Sequence, residues 1–96
     1  LHLAAVVAHN FSNHLYYQAY QVCQSQQLNF EMLKPLLQQA VANLGDFNPK
    51  VLQTGPAVRG DENTLNKHLE IIDNDSLKNI YKLITQSIQM SHEEEL

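Results

Sequence analysis

Apolar residues return every third or fourth position along the first quarter of the chain. From His2 to about Gln26 there is no Gly or Pro, and Ala4, Val7, Ala8, Phe11, Leu15, Ala19 and Val22 share one helical face. This spacing predicts one long helix with that stripe as its core face. The opposite side carries His2, His9, Asn13, Tyr16, Tyr20 and Cys23, and a flank of Leu3, Asn10, His14, Tyr17 and Gln21 runs between. Aromatic side chains on the less apolar side point to contact with something beyond the chain's own core.

Asn29 is placed to cap a second helix with Met32, Leu33, Leu36, Leu37, Ala40, Val41 and Leu44 as its stripe. Pro35 either kinks that helix or marks its true start, and Gly45 ends it. Asn48-Pro49 predicts a short third helix from Pro49 to about Gln53. A Gly/Pro-rich stretch follows, residues 54–60. Asp61 then caps a fourth helix bearing Leu65, His68, Leu69 and Ile72, and Asn74-Asp75 breaks and re-caps before a fifth with Leu77, Ile80, Tyr81, Ile84 and Ile88. No stretch alternates with period two over a useful length. The expected fold is all-α: five helices, the first long and one short.

With 96 residues the chain is expected to form one helical domain, residues 1–96. Apolar residues at 44% suit a folded core, while charged residues reach only 17%. Six basic residues and a net charge of −4 argue against nucleic acid or an anionic membrane held by charge. The longest apolar run, from Leu3 to Ala8, falls far short of a membrane span. One cysteine, Cys23, makes no internal disulfide, which suggests a cytoplasmic protein. Leu1 is no initiator methionine and helical pattern starts at once, so the expectation is a piece of a longer protein whose upstream partner is missing. The acidic run from Glu93 to Glu95 reads as a solvated end.

Chemistry concentrates in residues 54–61. Gly55 precedes Pro56 and is pushed toward extended backbone, while Gly60 permits a turn other residues avoid. The only arginine, Arg59, lies here against five lysines elsewhere, and its planar fork suits carboxylate or phosphate. The next helix aims its free N–H groups back at the loop, with Thr64 and His68 on the face of Asp61. These residues make a pocket for a small anionic substrate. A structural reading stands beside it: Asp61 as a plain cap, Arg59 paired with it on the surface, His68 half-buried in the core. Asn10 and His14, four apart, form a polar pair that is either structural or substrate-facing.

Other chemistries find less support. The five histidines include no i,i+4 pair and Cys23 has no partner, so metal-ligand spacing is lacking. No Ser sits in a G-x-S-x-G elbow. Arg59-Gly60-Asp61 spells the tripeptide of integrin ligands, but adhesion needs an extracellular setting that this chain does not suggest.

The ordered string His2-Leu3-Ala4-Ala5-Val6, Asn10-Phe11, Pro35-Leu36-Leu37, Asn43, Thr54-Gly55-Pro56-Ala57-Val58-Arg59-Gly60-Asp61, Thr64 and His68-Leu69 resembles the C-terminal domain of a family of Rossmann-like NADP oxidoreductases. That helical domain is similar to the C-terminal domains of 6-phosphogluconate dehydrogenase and pyrroline-5-carboxylate reductase. The resemblance implies a substrate and dimerisation domain, forming a homodimer, behind an upstream Rossmann-like domain that holds NADP or NAD. It further implies that Thr54, Gly55, Arg59, Gly60, Asp61 and Thr64 line the substrate side, with Asn10 facing them and His68 as the catalytic candidate. Nothing matches the acid–base lysine of the hydroxyacid dehydrogenases, since Lys67 and His68 are turned about 100° apart on their helix. No G-x-G-x-x-G follows a strand, so no cofactor is expected on this fragment and no hydride transfer by it alone. The competing reading is a non-enzymatic helical protein–protein interaction module.

Overall fold

A computed structural model describes residues 1–93 as two compact units, residues 1–43 and residues 44 onward. Among the described residues there are five helical stretches and no strand. Past Glu93, the acidic run expected to be a solvated end lies outside the described residues.

The first unit begins with α1 (His2–Ala5), a π-helical turn (Val6–Phe11) and α2 (Ser12–Ser25). The backbone stays right-handed helical through both junctions, at Val6 and Ser12, so residues 2–25 are one continuous helix. A π turn carries an extra residue, so side chains five apart, rather than four, come into line across it. The expected core stripe, read with straight α spacing, therefore loses phase beyond residue 11. Phe11 is 58% exposed, and Val7, Leu15 and Val22 are also open. The residues turned inward are Gln18 and Cys23, with Val6, Ser12 and Ala19 half-buried. This corrects the face assignment.

α2 ends where Leu28 N donates to Cys23 O at 2.8 Å and Gln27 N donates to Gln24 O at 3.2 Å. That paired closure needs a left-handed residue, and Gln27 supplies it at φ 59°. Asn29 caps the next turn as expected, accepting from Glu31 N at 3.0 Å. A 3-10 turn (Phe30–Leu33) runs into α3 (Lys34–Ala42), and Pro35 marks the start of α3 instead of kinking it. Phe30 meets Tyr20 edge to face at 5.9 Å, fastening this turn to α2.

In the second unit the short helix is displaced from its expected place. Residues 49–53 make only successive i→i+3 turns, from Val51 N to Asn48 O through Gln53 N to Lys50 O. Val51, their one β-branched residue, is 74% exposed, so no burial extends them into a helix. The short helix is α4 (Pro56–Arg59), which starts on a proline and buries Ala57 to 7% exposure. α4 packs against α5 (Glu62–Ile71) and α6 (Asp75–Glu93). Leu65 of α5, 5% exposed, is the centre of this small core. Asn74 re-caps as expected, accepting from Leu77 N at 3.2 Å.

Gln27 holds a conformation glycine adopts without the Cβ clash. Gln27→Gly is expected to stabilise the protein by about 0.5–1 kcal/mol, read as a raised midpoint in thermal or urea unfolding. An unchanged or lowered midpoint contradicts it.

Candidate functional site

The site loop is built from two special backbone conformations. Gly55 sits at φ 105°, ψ 173°, a region that essentially only glycine occupies, and so turns the chain into Pro56. Gly60 is left-handed at φ 65°, ψ 31°, which ends α4 after one turn and redirects the chain into α5. Asp61 N donates to Pro56 O at 2.9 Å and Gly60 N to Ala57 O at 3.2 Å, closing α4 on itself.

Asp61 then begins α5. Its Oδ1 accepts from Thr64 N at 3.2 Å, and Thr64 Oγ1 donates to its Oδ2 at 2.8 Å. Arg59 Nη2 lies 3.7 Å from the same Oδ2, an ion pair longer than a direct hydrogen bond. The two bonds from Thr64 hold the Asp61 carboxyl below its usual range; burial opposes them in part, and Arg59 adds a smaller lowering effect. Asp61 is therefore anchored without Arg59, whose exposed guanidinium keeps its donors available.

An open groove of about 420 Å³ runs beside this loop, lined by Ala57, Val58, Arg59 and Gly60, by Gln89 and His92, and by the carboxylates Glu62 and Glu93. His92 is held in the last turn of α6, with Nδ1 3.0 Å from Ile88 O and Nε2 3.4 Å from Lys50 O. Thr54 and Gly55 enter the loop, with Thr54 exposed and Gly55 half-buried, but do not line the groove.

His68 belongs to a different neighbourhood. It is exposed, and its Nδ1 lies 2.7 Å from the hydroxyl of Tyr81 on α6. The two rings meet edge to face at 5.8 Å. Tyr81 borders a second groove, about 130 Å³, between α5 and α6 with Leu65, Asn66, Leu69, Lys82 and Thr85. Burial pushes its phenol above the usual value. Sequence spacing placed Tyr81 in the core stripe of the fifth helix and missed it as a partner. The contact joins positions 13 apart on two helices, which no local pattern encodes.

Asn10 belongs to the first unit, exposed on the π turn, and its side chain makes no hydrogen bond among the described residues. The expected pair with His14 does not form, because the wide turn takes Asn10 off the i,i+4 line. His14 instead accepts on Nε2 from Gln18 Nε2 at 3.2 Å. Gln18 is 5% exposed and its Oε1 has no partner, a buried polar position that sequence reading did not single out.

The glycines Gly45, Gly55 and Gly60 stand at three separate turns, none between a strand and a helix. Among the described residues no three His, Cys, Asp or Glu side chains group to hold a metal ion. No described helix is long and apolar enough to cross a membrane.

With this geometry in hand, the comparisons assign a family. Residues 1–88 match a domain of unknown function, DUF2520. The chain belongs to the DUF2520 family. No curated protein matches it. A crystal structure of a "putative NADP oxidoreductase" from Bacteroides fragilis matches this DUF2520 domain at 37% identity with a TM-score of 0.90. The match covers 94% of the present chain and 35% of that one, so the DUF2520 domain spans about a third of its length. The all-α fold expected from the sequence is the fold observed, and the family is the one its motifs resembled.

The Asp61 cap has a pH signature. Its folded carboxyl ionises below the unfolded one, so its stabilisation is complete above the ordinary aspartate value of about 3.9 and is lost as pH falls through the folded value. Asp61→Asn should lower the unfolding midpoint at pH 6, and the gap to the natural protein should narrow as pH falls below the ordinary aspartate value. A gap of constant size across that range contradicts the linkage.

Proposed function

We propose that this domain is the substrate-binding and dimerisation part of an NADP-dependent oxidoreductase that acts on a small anionic substrate. The observation that carries the reading is the Arg59 loop: a guanidinium with spare donors stands at the mouth of a groove, beside a helix start whose cap is secured independently. A planar anion such as a carboxylate can take both arms of the fork, which lysine cannot offer. Gly60 and the N-terminal turn of α5 add a small-residue approach and a favourable dipole end. Thr54, Gly55 and Thr64 shape the loop, and His68 and Asn10 are the acid–base and polar candidates. The similarity to the oxidoreductase from Bacteroides fragilis supports the reaction class. The dinucleotide belongs on an upstream Rossmann-like domain, since the residues described here make no pyrophosphate-binding turn.

Dimerisation is supported by the first unit. Its long helix leaves Val7, Phe11 and Leu15 open beside Tyr16, Tyr17 and Tyr20, and α3 leaves Leu36 and Val41 open. Exposed apolar and aromatic surface with few charges has the composition of an interface core. A second copy of the chain is the proposed occupant.

Two measurements test the reading in the protein that carries this chain. NADPH oxidation across a panel of small oxo- and imino-carboxylates should find a substrate whose KM rises about tenfold or more in Arg59→Lys, while the unfolding midpoint stays put. A midpoint that falls with no change in KM makes the loop architecture alone. Light scattering should return a dimer that Phe11→Asp splits; a monomer of the natural protein at high micromolar concentration overturns the dimer.

A further inference from the structure

His68 and Tyr81 join α5 to α6 by a side-chain hydrogen bond, and its chemistry is directional. At 2.7 Å it is a short bond between an imidazole nitrogen and a phenol, braced by the edge-to-face ring contact. Nε2 of His68 makes no bond among the described residues and the side chain is exposed, so this nitrogen is the one free to meet another molecule. Two proton arrangements fit the distance. If the phenol donated to Nδ1, the bond would break when the ring takes up a proton, because both imidazolium nitrogens are donors. If Nδ1–H donates to the phenol oxygen, the same bond serves the neutral and the protonated ring. The second arrangement leaves the Nε2 lone pair outward in the neutral form, which a proton acceptor requires, and an Nε2–H outward in the cation, which a proton donor requires.

We propose that Tyr81 is a positioning residue for His68, accepting from Nδ1–H and so presenting Nε2 as the atom that takes a proton from, or returns it to, the substrate. This rests on the reading of His68 as the acid–base group. Tyr81 itself touches no reacting atom. Its phenol, kept protonated by partial burial, is an acceptor that carries no charge of its own, so it orients the ring without fixing its protonation state.

The test is histidine-selective nitrogen NMR on the whole protein at about pH 8.5, well above the ordinary imidazole value. A solvated histidine side chain favours the Nε2–H tautomer in water. His68 is expected in the opposite form, Nδ1–H, and Tyr81→Phe, which retains the ring contact and removes only the oxygen, should return it to Nε2–H. Finding Nε2–H in the natural protein, or no change in Tyr81→Phe, overturns the proposal. In the NADPH assay Tyr81→Phe should lower kcat about tenfold or more with KM unchanged. An unaltered kcat alongside a changed tautomer overturns the positioning role. His68→Gln separates this from the reading beneath it: full turnover in that variant refutes His68 as the acid–base group whatever the tautomer.

Discussion

The Asp61 carboxylate is the constraint from which the second unit is built. It takes the backbone N–H and the hydroxyl of Thr64 together, so α5 starts at a defined residue and in a defined direction. Gly60, left-handed just before it, lets α4 end one residue earlier without strain. α4 is then short enough to lie against both α5 and α6 with Ala57 buried. Remove the cap and the loop loses the anchor that holds Arg59 at the groove. The same carboxylate also limits Arg59, since the two charges stand 3.7 Å apart and any incoming anion must compete with it. An exposed pair of that length is weak and salt-sensitive.

The first unit answers to a different constraint. One wide turn at residues 6–11 rephases the helix, and the consequences spread along its length. The apolar residues most regular in sequence stand open, while an amide and a thiol, Gln18 and Cys23, turn inward. A helix with both an apolar and an aromatic face exposed is not complete by itself, because apolar side chains left in water forgo the main term that stabilises folds.

Two polar clusters stand apart on the second unit: Arg59, Asp61 and Thr64 at the loop, and His68 with Tyr81 across α5 and α6. The loop is held by the Asp61 cap and the His68 ring by its contact with Tyr81, so neither depends on the other for its geometry.

Where an effect is confined to a few adjacent residues, the sequence was enough. Asn29, Asp61 and Asn74 cap where their spacing says, Pro35 opens a helix, and Gly60 turns the chain, because each acts within one turn of backbone. The all-α class follows from the same local periodicity. The π turn escaped it, since strict α spacing leaves no mark where an extra residue is accommodated. The short helix lies at Pro56–Arg59 and not at Pro49–Gln53 because burial of Ala57 against α5 and α6 decided between two similar local signals. Likewise His68 reached across to Tyr81, and His14 turned to Gln18, only once helices and turns had set the directions of their side chains. Local propensity chooses elements from neighbours in the chain. Which polar groups meet is chosen by packing, which brings together residues that the sequence keeps apart.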